Sequence, residues 1–478
     1  MAELDAIKTI DEIQKLTENT QRLDVAKLFD LDDANRTDAY WMKLIRCLIK
    51  LTEIPKFKSD DREYDRDDFI DVPEKSVSSF ELILVVMDKY KQYSSTNNVY
   101  QNRTNLNQIL PELLVFCAVH SDMRFLWTNE SAVELSQKLE STLCEIQRVD
   151  SIENLLMKSI EGSDTVYGLI NTLLKPSLTK LNWKKNPSVK HVFYHYLLKV
   201  RQLSEYLDFL LPVSLMMIDD YRSENKVLGI NSLSHIVKNS SKAELGWYGR
   251  VDVIYDALRH QMYTHEPLVV NALHPCLLDV LAVVEPSPKE PKNQARKWCR
   301  YDDVFEQFMQ DMRFENKIIL RRMYSEYLGL YIERMGITVT KHTTHLTQVI
   351  TDYLEQFDGY EEIARFNILS CLKSYIRHCW PVLDCRQTAT IAKSLLQFVF
   401  DLSVDSSLTS SETKRDLASR AAECLSSLDR ASCGKVRELF TELKTVTDMN
   451  EMCKTFINSV FTTNSKQNGR SEKKAIDI

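Results

Sequence analysis

Apolar residues recur at intervals of three and four along nearly the whole chain, and no convincing run of alternating apolar and polar residues interrupts them. Trp41, Leu44, Ile45, Ile49 and Ile54 open the first stripe, and Phe80, Ile83, Val86, Met87 and Tyr90 the next. Leu346, Val349, Tyr353, Ile363, Phe366 and Leu369 carry a later one, and Leu439, Leu443 and Val446 lie near the end. Such spacing places the apolar side chains on one face of a helix and excludes half-buried strands. About twenty helices of roughly 10–22 residues are predicted, with short polar joins. Turn chemistry agrees: 10 Gly and 12 Pro in 478 residues fall far below the usual combined share of about 12%. Sandwiches, barrels and propellers need those residues at every hairpin and bulge.

Net charge of −7 provides no global basic field for nucleic acid. The basic groups Lys180/Lys184/Lys185/Lys190 and Lys289/Lys292/Arg296/Lys297/Arg300 are local and read as solvated surface. The eleven Cys are scattered without a C-x-x-C pair, the pattern of reduced thiols packed as small hydrophobes in the cytosol or nucleus. Met1 to Leu16 is acidic and amphipathic, without the basic-then-apolar order of a signal peptide. Leu203 to Ile218 is interrupted by Glu205, Asp208 and Pro212, so it is not expected to span a bilayer.

The expected organisation is N-terminal helices over 1–57, an acidic loop over 58–73, and a helical array over 74–284. A Pro-rich basic loop follows over 285–300, then a second array over 301–462 and a disordered tail over 463–478.

Leu203 to Val237 carries a repeat signature: Pro212 in an apolar helix, Asp220 eight residues later in a polar turn, and Lys226 opening a second helix. These separations resemble the consensus of HEAT repeats. Pro removes an N–H donor and should kink the first helix. Asp220 can accept from amides at the start of the second, and Lys226 can pair with Asp in its own or a neighbouring repeat, forming a charge ladder. Gly229 and Leu233 lie on the buried stripe with Ile230, Ile236 and Val237. A mid-helix Gly costs about 1 kcal/mol relative to Ala, and close helix approach would offset it. Asn225 departs from the consensus aliphatic residue. Further on, Thr264 can cap a helix with Pro267 in its first turn, and Pro275 should kink that helix and strand the Asn271 carbonyl. Helix pairs that bury their faces only against neighbours make an all-α fold, an α-solenoid of HEAT-like antiparallel helix pairs.

No catalytic constellation rises above background, and neither a metal nor a cofactor is expected. His191 and His195 sit at i, i+4, but Val192 stands where a zinc protease needs Glu. His342/His345 and His378–Cys379 lack further ligands at sensible spacing. Asp61, Glu63 and Asp65 are followed by Arg66 where a calcium loop needs Gly. Cys433–Val436 ends like a phosphate loop, but Asp429 and Val436 replace its first Gly and its Ser/Thr.

The run LPVSLMMIDDYRSENKVLGINSLSHIVKN, followed by GWYGRVDVIYDALRHQMYTHEPLVVNALHPCLLDVLAVVE, resembles the core of the Tel-two-interacting protein two family. Pro in the apolar helix, the acidic turn, K-V-L-G and R-x-x-V-I-Y-x-A-L follow in that family's order over about 75 residues, within 203–284. The resemblance implies a non-enzymatic subunit of the Triple-T co-chaperone complex, with Tel-two and Tel-two-interacting protein one as obligate partners. It further implies indirect association with the ninety-kilodalton heat-shock chaperone, its R-two-T-P adaptor, and phosphatidylinositol-3-kinase-related kinases of the TOR, ATM and ATR class. Residence would be cytoplasmic with a nuclear pool, without nucleic acid or membrane. Asp219, Tyr221 and Arg250 are the candidate partner contacts, and the long amphipathic helices of Cys371 to Val460 are where an interface is expected. A nuclear-transport-type adaptor solenoid is the alternative. A terpene-cyclase-like helical enzyme fits less well, because Ser223 stands where its metal motif would place a third acid after Asp219 and Asp220.

Overall fold

The computed structural model describes residues 38–57, 64–96, 99–160, 164–288, 297–405, 409–441, 443 and 449–462. They divide between two compact units, Met1–Met216 and Met217–Ile478.

In the first unit, α1 (Asp38–Leu51), α2 (Val72–Thr96), α3 (Val99–Val119), α4 (Glu130–Gln147) and α5 (Ile152–Leu156) lead to a small hairpin. β1 (Ser159–Ile160) pairs antiparallel with β2 (Asp164–Thr165), Ser159 opposite Thr165. This two-residue pairing is too short for any periodicity to announce. Then come α6 (Val166–Leu174), α7 (Val189–Lys199) and α8 (Leu207–Ile218), whose last residues fall in the second unit. Helix α3 is the centre, packing against α1, α4, α6 and α7. Asn129 caps α4 by accepting the Ala132 amide at 2.9 Å. Thr165 caps α6 through the Gly168 amide, and its hydroxyl also lies 2.6 Å from the Tyr206 hydroxyl.

The expected acidic loop is corrected where it is described. Residues Arg66–Phe69 form a 3-10 turn, and Phe69 and Val72 are buried with Ile54 and Trp127. Two aromatics, Tyr64 and Phe69, and one aliphatic residue among many acids suffice to pin this stretch to the core. Residues 58–63 of that loop lie outside the described residues, as do residues 1–37, 289–296 of the Pro-rich loop, and the tail 463–478.

The second unit is a ladder of helix pairs. After α9 (Ser223–Asn239) and α10 (Lys242–Gly246) come the pairs α11/α12 (Arg250–Gln261, Pro267–Val284), α13/α14 (Arg300–Phe314, Ile318–Met335), α15/α16 (Thr343–Glu355, Ile363–Cys379) and α17/α18 (Cys385–Val404, Ser411–Ala431). The short α19 (Lys435–Phe440) and α20 (Glu451–Thr462) follow. One layer runs α9–α12–α14–α16–α18–α20, each packing on the next, and the other runs α13–α15–α17. Each pair buries its apolar stripe only against its neighbours, which is the solenoid principle.

Helix α12 shows how this works. It is long and apolar enough by composition to cross a membrane, yet Val269, Leu273, Cys276, Leu277 and Val280 are buried, and α9, α11 and α14 pack on it. It runs through Pro275 as one helix, with Pro267 at its start. The Asn271 carbonyl, deprived of its helical donor by Pro275, accepts instead from the Tyr327 hydroxyl on α14. Thr264 does not cap α12: the cap position falls on Glu266, and the Thr264 hydroxyl lies on Gln261. Close approach of two helices is seen at Gly329 of α14, where a Cβ would stand 3.3 Å from the Cys371 sulfur of α16. Seven of the eleven cysteines are buried, and all eleven are free thiols.

Candidate partner-binding surface

The turn that begins the second unit holds the signature residues. Asp219 and Tyr221 are exposed, whereas Asp220 is buried between them. The helix-capping expectation is corrected, because the cap position of α9 falls on Arg222, which makes no side-chain cap bond. Asp220 instead accepts the Tyr221 amide at 2.7 Å and the Asn225 side-chain amide at 2.5 Å. This explains the departure from the consensus at Asn225: it is a buried polar partner for Asp220 rather than a core aliphatic. The charge ladder is also corrected. Lys226 donates to the neutral Gln261 amide oxygen at 2.6 Å, not to an Asp. Gly229 and Leu233 are buried on α9, and Pro212 lies within α8.

Helix α9 has seventeen residues, about 25 Å of length at ~1.5 Å each, so Asp219 and Tyr221 precede one end of it and Arg250 comes after the other. Arg250 opens α11 beside Tyr248, whose ring lies 5.5 Å from the guanidinium. Tyr248 and Gly249 both have positive φ, and Trp247 and Tyr248 are exposed.

Tyr221 belongs to a larger pattern. The turns joining the two helices of successive pairs each expose apolar side chains: Tyr263 and Leu268 at α11/α12, Phe314, Ile318 and Ile319 at α13/α14, Phe357 and Tyr360 at α15/α16. Their exposures run from 46% at Ile318 to 75% at Phe314. Side chains at and near the consecutive turns are bonded to one another. Lys226 reaches Gln261 from the first turn to the second. His265 Nδ1 lies 3.2 Å from the Tyr324 hydroxyl, joining the second to the third. Arg322 donates to the Asp358 carboxylate at 3.2 Å, its carbonyl at 2.6 Å, and Glu361 at 2.8 Å, joining the third to the fourth. Gly359 is required there: its φ is +90, and a Cβ would stand 3.1 Å from the Arg322 guanidinium. Asp358 Oδ2 also accepts the Ala364 amide at the start of α16. Arg321 lies 3.9 Å over the Tyr353 ring and stiffens the same edge.

An apolar row bordered by Arg313, Lys317 and Glu361, all exposed, has the anatomy of a protein interface, an apolar centre with a charged rim. Sequence reasoning names Tyr221 as a candidate contact and none of the others. Their signal is apolar residues placed at or just past the helix ends, off the buried stripe.

Elsewhere the titratable groups are structural. His191 packs against the stacked rings of Phe125 and Trp127, and burial holds its pKa down at about 3. His342 Nε2 lies 2.9 Å from Asp302, and His378 lies 3.6 Å from Glu333. Among the described residues no three His, Cys, Asp or Glu side chains gather as metal ligands.

No family model matches the chain. TELO2-interacting protein 2 of Homo sapiens is 35% identical over 343 residues, covering 71% of this chain and 67% of that protein. The Mus musculus protein of that name is 32% identical over 403 residues, covering 84% and 77%. The chain belongs to the TELO2-interacting protein 2 family. The match extends far beyond the core that carries the sequence resemblance. Among solved structures, importin beta aligns with a TM-score of 0.46 at 12% identity, covering 89% of this chain and 59% of that one. The Kap95:Nup1 complex aligns at 0.45 and 12%, covering 99% and 66%. Membership of the TELO2-interacting protein 2 family and the stacked helix pairs together make this chain a scaffold of that type.

Proposed function

We propose that this chain is a non-catalytic subunit of a Triple-T-type co-chaperone assembly, binding a TELO2-class solenoid and a protein of the Tel-two-interacting protein one class. Through that assembly it supports maturation and stability of phosphatidylinositol-3-kinase-related kinases of the TOR, ATM and ATR class. The relatives carry TELO2 interaction in their name, and the observation that carries the reading to a surface is the row of exposed apolar side chains on consecutive turns from Tyr221 to Tyr360. Fixed by turn-to-turn bonds, such a row offers a partner a preformed face, which lowers the ordering cost of association. Its work is then done by mass action: a partner bound only when folded is stabilised by its complex. Assembly with the ninety-kilodalton heat-shock chaperone and its R-two-T-P adaptor, mainly in the cytoplasm with a nuclear pool, completes the proposal.

The test is depletion of this protein in cells, followed by measurement of both partner proteins and of TOR- and ATM-class kinase protein. Lower levels of all of them at normal messenger RNA are expected. Unchanged levels would remove the co-chaperone reading.

A further inference from the structure

A second surface lies apart from the row of turns, between α16 and α18. Helix α18 buries Leu417, Ala421, Cys424, Leu425 and Leu428, and between those positions Ser419, Ala422 and Ser426 line a groove against α16. These small side chains leave space, and the groove measures about 960 Å³, at the upper end of the range for ligand sites. Ile376 and Trp380 supply its apolar wall. Trp380, just past the end of α16, is 56% exposed, and an indole presented in this way is a frequent anchor for a partner.

The charge of the groove is distinctive. Lys373, Arg377 and Arg430 line it against the single acid Glu423, so it is locally positive in a chain of net charge −7. Lys373 pairs with Glu423, and Arg377 with Glu333 of the neighbouring α14. Arg430 makes a different contact, a hydrogen bond to the Ser427 hydroxyl at 3.3 Å. Its guanidinium therefore retains donors for an incoming carboxylate, for which planar two-point binding suits Arg. A nucleic acid needs a basic stripe over many phosphates, whereas this excess is confined to one groove beside one indole. Arg430, Trp380 and the small-residue floor fit a short peptide with acids flanking an apolar side chain.

We propose that the α16/α18 groove is a docking site for an acidic peptide segment of a partner protein, with an apolar side chain against Trp380 and Ile376 and a carboxylate on Arg430. The site goes beyond the scaffold reading and does not depend on the row of turns. The full chain would be titrated against a fluorescein-labelled peptide of Glu and Asp residues around a central Leu-Phe pair, followed by fluorescence anisotropy. Two further probes are the same peptide with Lys replacing every acid, and a labelled single-stranded oligonucleotide. The expected result is saturable binding of the acidic peptide, weakened about tenfold or more by Arg430→Glu and by Trp380→Ala, and abolished by Ser426→Tyr, which fills the groove without changing charge. Circular dichroism checks that each variant is folded. Absence of saturable binding, binding indifferent to all three variants, or tighter binding of the Lys peptide or the oligonucleotide would overturn the proposal.

Discussion

The Tyr327 hydroxyl on α14 lies 3.1 Å from the main-chain oxygen of Asn271 on α12 and 2.6 Å from its side-chain oxygen. The residue whose amide would normally serve that carbonyl is Pro275, which has none. A helix that is broken by its own covalent chemistry is thus completed by its neighbour in the ladder. A hydrogen bond at such a half-buried carbonyl contributes about 0.5–1.5 kcal/mol, and the Tyr327 hydroxyl, shared between the two Asn271 oxygens, supplies part of what a backbone amide would otherwise give.

Tyr327→Phe is therefore expected to lower unfolding free energy by about 0.5–1.5 kcal/mol. Restoring the amide should make the hydroxyl less necessary. In a Pro275→Ala background the same change is expected to cost less, because the restored main-chain amide donates to the Asn271 carbonyl. Denaturant unfolding of the four proteins in this cycle measures the coupling; a coupling energy near zero would sink the account.

A second relationship ties α13 to the turn before α15. Asp302, fully buried, accepts from His342 at 2.9 Å and Lys341 at 2.7 Å and receives the Cys299 amide at 2.9 Å. Burial opposes its ionisation, but the bonds from His342 and Lys341 outweigh it and hold the carboxyl at about 2. Its folded pKa is depressed, so its contribution is present above the unfolded value near 4 and is lost as pH falls towards 2. Asp302→Asn should cost about 2–4 kcal/mol at pH 7. The difference from wild type should shrink steadily between pH 5 and about pH 3, as read by urea unfolding across that range.

Asp311 has the opposite sign. Burial raises its carboxyl to about 6, against the partial relief of a Gln307 hydrogen bond at 2.9 Å. A raised acid penalises the fold when ionised, fully above about pH 6 and not at all below the unfolded value near 4. Asp311→Asn is expected to stabilise by about 1–3 kcal/mol at pH 7.5 and to be neutral at pH 4. Thermal melts at the two pH values decide it; an equal gain at both would show that charge is not the cause.

The ladder itself is legible in the sequence because a helix pair writes its buried face at every third and fourth residue. The spacing puts Val251, Ile254 and Leu258 on the core face of α11, and all three are buried. Pro275 strands the Asn271 carbonyl by covalent chemistry alone, and that carbonyl is the acceptor Tyr327 serves. Turn chemistry is harder to read. The repeat consensus makes Asp220 a cap and Lys226 a charge partner, yet their partners are Asn225 and Gln261, the latter 35 residues away. Spacing along one helix cannot specify which neutral group a neighbouring helix will present. The apolar row is hidden for a related reason: Tyr263, Phe314 and Phe357 become one surface only when stacking aligns turns that are far apart in sequence.

That alignment leads to the sharpest prediction about partners. Phe314 and Ile319 sit at the middle of the row, 75% and 61% exposed, and neither contributes to the buried stripes of α13 and α14. Replacing each by Asp places a carboxylate where a partner would bury apolar surface, a change that costs several kcal/mol at an interface centre and almost nothing on a free surface. The Phe314→Asp/Ile319→Asp protein should melt within a few degrees of wild type while failing to co-purify with the TELO2-class partner when co-expressed. Arg250→Glu, at the start of α11 and past the far end of α9 from Tyr221, serves as the comparison. If the row is the interface, the double variant loses the partner and Arg250→Glu retains it. If Arg250→Glu loses the partner and the double variant retains it, the Trp247–Arg250 end of the ladder is the contact instead.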